Sequence, residues 1–145
     1  MQKIISLCSV IFAIAMLSGC GGGGGSDNPP AATSEAEGLY IGTTNVNSTV
    51  NGIILDSGAF YFIYSVENNP NVIAGVVQGT STATGGTLTS KNAMDYNIEG
   101  LGVYPATVTA NYIPQQSVNG TISYNDGSSV NFTTTYDADY EITPS

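Results

Sequence analysis

Beyond residue 38 the chain is a series of short β-prone runs, separated by Gly, Asn, Asp or Pro about every ten residues. Four runs alternate between apolar and polar positions, the period of a strand with one packed and one solvated face. The expected packed positions are Met94, Tyr96 and Ile98; Ala106, Val108, Ala110 and Tyr112; Val118, Gly120, Ile122 and Tyr124; and Val130 and Phe132. In the first run Asp95, Asn97 and Glu99 are expected on the solvated face.

Two earlier runs, residues 59–64 and 72–77, are apolar on both faces and are expected to meet a second layer or a partner. Asp56-Ser57-Gly58 and Asn125-Asp126-Gly127 predict hairpin turns, and residues 67–71 predict a wider loop. No apolar stripe of helical period occurs after residue 38. The pattern predicts an all-β fold, an antiparallel up-and-down meander of about eight or nine strands that closes into a barrel, because an open sheet would leave bare edges. A β-sandwich is the alternative.

The first nineteen residues have the three-part build of a secretory signal peptide. Lys3 supplies the positive start, residues 4–16 are almost wholly apolar, and small residues follow. The apolar stretch is shorter than the ~20 residues of a membrane-spanning helix. We therefore expect residues 1–19 to be removed on export.

The sequence Leu17-Ser18-Gly19-Cys20 resembles the lipobox of bacterial lipoproteins. The resemblance implies cleavage between Gly19 and Cys20, a diacylglycerol on the Cys20 sulfur, and a further acyl chain such as palmitate on its new amino group. Two or more acyl chains hold a protein stably on a bilayer, so the lipid bilayer is an expected partner. Gly21 follows the cysteine in place of the Asp that favours inner-membrane retention, which points to the outer membrane of the cell envelope.

Residues 20–37 are predicted to be the lipidated cysteine and a flexible linker, and residues 38–145 the folded domain. The linker begins with five glycines, includes two prolines and has no large apolar side chain. Such a coil has a root-mean-square reach of roughly 20–25 Å. It would let the domain stand clear of the lipid headgroups.

The composition excludes several classes of function. The chain has 11 acidic and 2 basic residues and a formal net charge of −9, and only Lys91 among the basic residues follows Cys20. Nucleic acid is therefore a poor partner, and a complementary surface would be cationic. The chain has no His, and no Arg or Cys lies in the domain. We expect no enzyme activity and no cofactor, because a general base, a thiol nucleophile and zinc or copper ligands are lacking.

Three groups of residues are candidates for chemistry. Asp137, Asp139 and Glu141 would project from one face of an extended strand and could share Ca²⁺, but the spacing does not match an EF-hand loop and a solvated acidic tail is favoured. Asp95 and Glu99 could form a glycosidase pair, but two strand positions four residues apart are wide for that chemistry, and a polar outer face is favoured. Six tyrosines could line a pocket, an interaction patch, or the core and rim: Tyr61, Tyr64, Tyr96, Tyr104, Tyr112 and Tyr124.

The runs Gln115-Gln116-Ser117-Val118-Asn119-Gly120-Thr121-Ile122 and Phe132-Thr133-Thr134-Thr135-Tyr136 resemble strand–turn–strand segments in the small lipid-anchored barrels of transferrin-binding-type surface lipoproteins. They also resemble uncharacterised proteobacterial lipoproteins of similar layout. The resemblance implies the barrel fold and supplies no ligand-contacting residue. The expected function is a membrane-anchored, non-enzymatic β domain that binds or shields an envelope or extracellular protein. The alternatives are a lipocalin-like carrier of a small apolar ligand and a structural envelope component.

Overall fold

The computed structural model describes residues 34–98 and 102–139. The predicted signal peptide, Cys20 and most of the predicted linker lie outside these ranges. The described residues form nine strands: β1 (Gly38–Thr44), β2 (Thr49–Ile54), β3 (Ala59–Val66), β4 (Asn69–Thr80), β5 (Thr82–Thr84), β6 (Thr87–Asn97), β7 (Gly102–Ile113), β8 (Ser117–Tyr124) and β9 (Ser129–Tyr136). They include no helix of the length and hydropathy needed to cross a membrane.

The strands close into an antiparallel barrel. Strands β1, β2, β3 and β4 pair in that order, and so do β6, β7, β8 and β9. The β1–β9 and β4–β6 pairings join the two halves. The short β5 follows β4 and pairs with the beginning of β6, so eight strands form the ring and β5 extends it at one end. Closure leaves the ring with no free edge strand. The predicted all-β, up-and-down barrel is confirmed.

Aromatic and branched side chains fill the interior. The expected inward positions of β7, β8 and β9 are confirmed, since Val108, Val118, Ile122 and Phe132 are all buried. The largest fully buried side chains are Tyr40, Phe60, Ile54, Leu88, Val77, Val108 and Val118. This packed interior supplies the burial on which a domain without disulfides depends.

Strand β6 has the opposite orientation to the one predicted from its alternation. Asp95 is buried inside the barrel, whereas Tyr96 and Ile98 are 38% and 64% exposed on the outside. The physical reason is a β-bulge, because two residues between Ser90 and Ala93 lie opposite one residue of β7. The extra residue reverses the inward phase halfway along the strand.

The predicted two-sided apolar character of β3 and β4 is confirmed. Phe60 and Phe62 of β3 face the core, and the alternate residues Tyr61 and Ile63 are exposed. The outward Ile63 is in register with Val76 of β4, which is in register with Tyr96 of β6. No second layer covers this outer wall within the described residues, so the partner expected there stays a prediction.

The turns follow the sequence in two places and differ in one. Gly58 and Gly127 have φ values of 81° and 88°, as the two predicted hairpin turns require. The wider loop predicted at residues 67–71 is instead a tight turn, and β4 begins at Asn69. Asn68 adopts a φ of 58°, a conformation that Asn tolerates better than most residues, which allows the shorter connection.

The N-terminal segment seals one end of the barrel. Residues 34–37 belong to the predicted linker, yet Ala36 is 0% exposed and its carbonyl oxygen accepts a 3.0 Å hydrogen bond from the buried Tyr40 hydroxyl. Glu35 accepts hydrogen bonds from the Tyr112 hydroxyl and the Gly85 N–H. Burial raises the pKa of Tyr40 to about 12. The turns after β2, β5 and β7 lie at this sealed end, and the turns after β1, β3 and β8 lie at the opposite end, where β6 ends at Asn97.

Candidate functional site

A buried carboxylate lies near the unsealed end of the barrel. Asp95 is 6% exposed. The Tyr64 hydroxyl donates a 2.7 Å hydrogen bond to Asp95 Oδ1, and the Tyr124 hydroxyl donates one of 2.7 Å to Asp95 Oδ2. The two donors compensate part of the cost of removing a charge from water. Together the three residues form a cross-barrel bridge, because they come from β6, β3 and β8.

Small residues make room for this bridge. Gly75 of β4 lies opposite Tyr64, and a methyl group at Gly75 would lie 2.6 Å from Tyr64 Cζ. Tyr124 is in register with Ala106 of β7, which is in register with Ala93 of β6. Both tyrosine rings can therefore extend over a neighbouring strand towards Asp95. Only glycine leaves enough space at position 75.

The hydroxyl groups of Tyr64 and Tyr124 are protonated and can donate hydrogen bonds to Asp95. Burial, followed by the hydrogen bond to the Asp95 carboxylate, raises the pKa of Tyr64 and of Tyr124. Both hydroxyls consequently keep their protons at neutral pH. At the rim, hydrogen bonds from the Ser128 hydroxyl and backbone N–H lower the pKa of Asp126, whose side chain is solvent-exposed. Asp126 therefore carries a negative charge near the bridge.

An open pocket of about 410 Å³ lies against the bridge, and we call it the mouth. Asp95 and Tyr124 border it from inside the barrel, and Asp126 borders it from the β8–β9 turn. Its remaining lining residues are Asn97, Tyr104, Pro105, Asn125 and Ser128. The lining includes two carboxylates and two aromatic rings and no basic side chain. This combination suits a cationic group better than an anion or a neutral apolar molecule.

Tyr124 also lines a smaller apolar cavity. Its volume is about 90 Å³, and its lining includes Phe62, Val77, Ile122 and Phe132. Pockets for drug-sized ligands have roughly 300–1,000 Å³. Two glycines of β4, Gly75 and Gly79, do not open further space, because Tyr64 lies against Gly75, and Ala93 and Asn92 lie against Gly79. This cavity does not favour the lipocalin-like alternative.

The structure separates the six candidate tyrosines into three groups. Tyr64, Tyr104 and Tyr124 lie at the unsealed end, where they border the mouth or the apolar cavity. Tyr112 lies at the sealed end beside Glu35, and Tyr61 and Tyr96 are exposed on the outer wall. Sequence alternation predicted Tyr124 as inward, but gave no signal for its link to Asp95.

The other candidates from the sequence are not brought together as sites. Asp95 is not on the predicted polar outer face, and Glu99 lies outside the described residues. Strand β9 ends at Tyr136, so Asp137 and Asp139 do not alternate along an extended strand; the Asp139 N–H instead donates to Asp137 Oδ1 at 3.1 Å. Glu141 is outside the described residues. Among those described, no three His, Cys, Asp or Glu residues form a metal-binding group.

No protein-family model matches the chain, and neither a curated protein nor a solved structure is significantly similar to it.

Proposed function

We propose that this protein is a membrane-anchored envelope lipoprotein whose barrel is a non-enzymatic binding domain, and that the mouth is the end that meets its partner. The observation that carries this proposal is the buried Asp95 carboxylate at the border of the mouth. A pocket of about 350 Å³ at the sealed end has Glu35 in its lining but no aromatic ring. Residues 34–37 seal the end that follows the linker, with Ala36 buried and Glu35 hydrogen-bonded to Gly85 and Tyr112. The mouth opens at the opposite end.

The position of the anchor supports the same orientation. A lipid on Cys20 would reach the barrel through residues 21–33 and join it at the sealed end. The mouth would then face away from the lipid surface, where an envelope or extracellular partner could approach. The composition supports binding rather than catalysis, because the domain lacks His, Arg and Cys.

The anchor is tested by replacing Cys20 in cells that process lipoproteins. Wild-type protein is expected to incorporate an alkyne-labelled palmitate and to sediment with membranes. Cys20→Ala is expected to lose both the label and the sedimentation, whereas Ser18→Ala, which keeps a small residue before the cysteine, should retain both. Equal labelling of wild type and Cys20→Ala would refute lipidation at this residue.

The orientation is tested by photo-crosslinking in intact cells. A photoreactive amino acid is placed at one of three exposed positions: Asn125 beside the mouth, Ser57 at the sealed end, or Thr109 on the outward face of β7. We expect a discrete crosslinked protein from position 125 and none from position 57. Crosslinks from position 109 with none from position 125 would show that the side of the barrel, and not the mouth, binds the partner.

A further inference from the structure

Among the residues that the structure describes, no basic side chain lines the mouth. Asp95 and Asp126 both line the mouth. Lys3 and Lys91 are the only basic residues of the chain. Lys91 is exposed in a separate groove beside Thr80 and Thr89, and Lys3 belongs to the predicted signal peptide. With Lys91 placed elsewhere, the described part of the barrel supplies no positive charge to the mouth.

The Asp95 carboxylate still has acceptor capacity. Each carboxylate oxygen offers about two lone-pair sites, and each oxygen of Asp95 accepts one hydrogen bond from a tyrosine hydroxyl. Neither hydroxyl brings a positive charge, so the bridge orients the carboxylate without neutralising it. A charged donor that entered the mouth would gain a charge-assisted hydrogen bond in a partly desolvated place.

The rings beside the carboxylate favour an organic cation over a metal ion. Tyr104 and Tyr124 line the mouth together with Pro105. Aromatic faces attract ammonium groups, and the apolar parts of the rings accommodate a short alkyl stem. Calcium, by contrast, takes six or more oxygen ligands, and the described residues hold no cluster of three acidic side chains.

From this geometry we propose that the mouth binds an alkylammonium group, with its charge on Asp95 and its stem against Tyr104 and Tyr124. The proposal rests on the proposed function, since it names the chemistry that the mouth recognises. The same group occurs in free small amines and in lysine side chains of proteins. The pocket volume of about 410 Å³ is sufficient for either source.

The test is a titration of the ¹⁵N-labelled full-length protein, in neutral detergent micelles, with n-butylammonium chloride. We expect saturable shifts of the backbone amides of Asn97, Tyr104 and Ser128 in two-dimensional NMR spectra. The uncharged n-butanol is the matched probe and should not produce them. Asp95→Asn is expected to weaken binding roughly 10- to 100-fold, because a charge-assisted hydrogen bond is lost. Asp56→Asn, in a turn at the sealed end, is the control and should bind as the wild type does.

Two further measurements keep the test decisive. If Asp95→Asn does not fold, Asp126→Asn replaces it, and binding about two- to fivefold weaker is expected for the loss of an exposed carboxylate. A capped Gly-Lys-Gly peptide is compared with 1,5-diaminopentane: tighter binding of the peptide identifies a protein lysine as the source, and tighter binding of the diamine a free amine.

The absence of saturable shifts with n-butylammonium, or equal shifts with n-butanol, would overturn the inference. The proposed function would not fall with it, because crosslinking from position 125 tests partner contact without assuming any ligand chemistry. Conversely, amine binding at the mouth in a protein that crosslinks only from position 109 would retain the ligand class and overturn the proposed orientation.

Discussion

Replacing Tyr64 or Tyr124 by Phe removes one hydroxyl and leaves the ring in place. Each hydroxyl donates a 2.7 Å hydrogen bond to the Asp95 carboxylate, whose residue is 6% exposed. A hydrogen bond to a charged group contributes ~1.5–3 kcal/mol, and a neutral one ~0.5–1.5 kcal/mol. We therefore expect Tyr64→Phe to lower the free energy of unfolding by ~1.5–3 kcal/mol, and Tyr124→Phe by a similar amount.

The role of the charge can be isolated with a double-mutant cycle. In an Asp95→Asn background the hydroxyl of Tyr64 donates to a neutral amide oxygen, so Tyr64→Phe should cost only ~0.5–1.5 kcal/mol there. Tyr61→Phe is the control, because Tyr61 lies on the outer wall and is 42% exposed. The assay is urea unfolding followed by far-ultraviolet circular dichroism, since the chain contains no Trp.

Two results would refute this reasoning. Equal costs of Tyr64→Phe in the wild-type and Asp95→Asn backgrounds would show that the hydroxyl does not act through the carboxylate charge. A cost of Tyr64→Phe no larger than that of Tyr61→Phe would show that the bridge contributes nothing measurable to stability. In either case the bridge could not be the element that holds Asp95 in position at the mouth.

Gly75→Ala should lower the free energy of unfolding by ~1–3 kcal/mol in the same assay. The new methyl group would lie 2.6 Å from Tyr64 Cζ and 2.6 Å from the Tyr96 carbonyl oxygen. An unchanged urea midpoint would contradict this close packing. The free energy of unfolding should fall as the pH rises above about 10, which is the unperturbed pKa of tyrosine. In the folded protein the pKa of Tyr40 is about 12 and the pKa of Tyr64 is also raised. The unfolded chain therefore loses these protons first, which favours unfolding. Unfolding from pH 8 to 12 checks this sign, and a Tyr64→Phe variant should lose less stability than the wild type over that interval. Glu35→Ala should speed amide hydrogen exchange of Gly85 relative to Gly127, since the Gly85 N–H donates to Glu35; equal exchange in both proteins would argue against the seal.

The sequence predicts the inward faces of β7, β8 and β9 because these three strands alternate without interruption. In β7 the residues Ala106, Val108, Ala110 and Tyr112 all face inward as expected. When the same alternation continues along a whole strand, the sequence of that strand is enough to predict which side chains face inward. Every second side chain lies on the same face of the strand. Closure follows from the number of strands and the cost of free edges.

The candidate site escapes the sequence because it depends on a change of phase and on contacts between distant strands. The free energy of transfer from water favours burying Met94 and Tyr96 and exposing the Asp95 between them. The observed orientation of this part of β6 is the opposite one. The bulge that reverses the phase is held by Asn92, whose Oδ1 accepts a hydrogen bond from the Thr80 N–H and whose Nδ2 donates to the Thr80 hydroxyl. This link joins β6 to β4, and no local pattern indicates it.

The same bulge explains both the carboxylate inside the barrel and the apolar wall outside it. If β6 kept its initial phase through residue 97, Asp95 would face solvent and Tyr96 would enter the core between β4 and β7. The observed phase instead places Tyr96 outside, in register with Val76 and Val103, and places Asp95 within reach of two tyrosine hydroxyls. Burying a carboxylate and exposing an aromatic ring both oppose stability, so packing alone would select the other phase. The observed phase is held against that preference by the two tyrosine hydrogen bonds to Asp95 and by the Asn92–Thr80 link at the bulge.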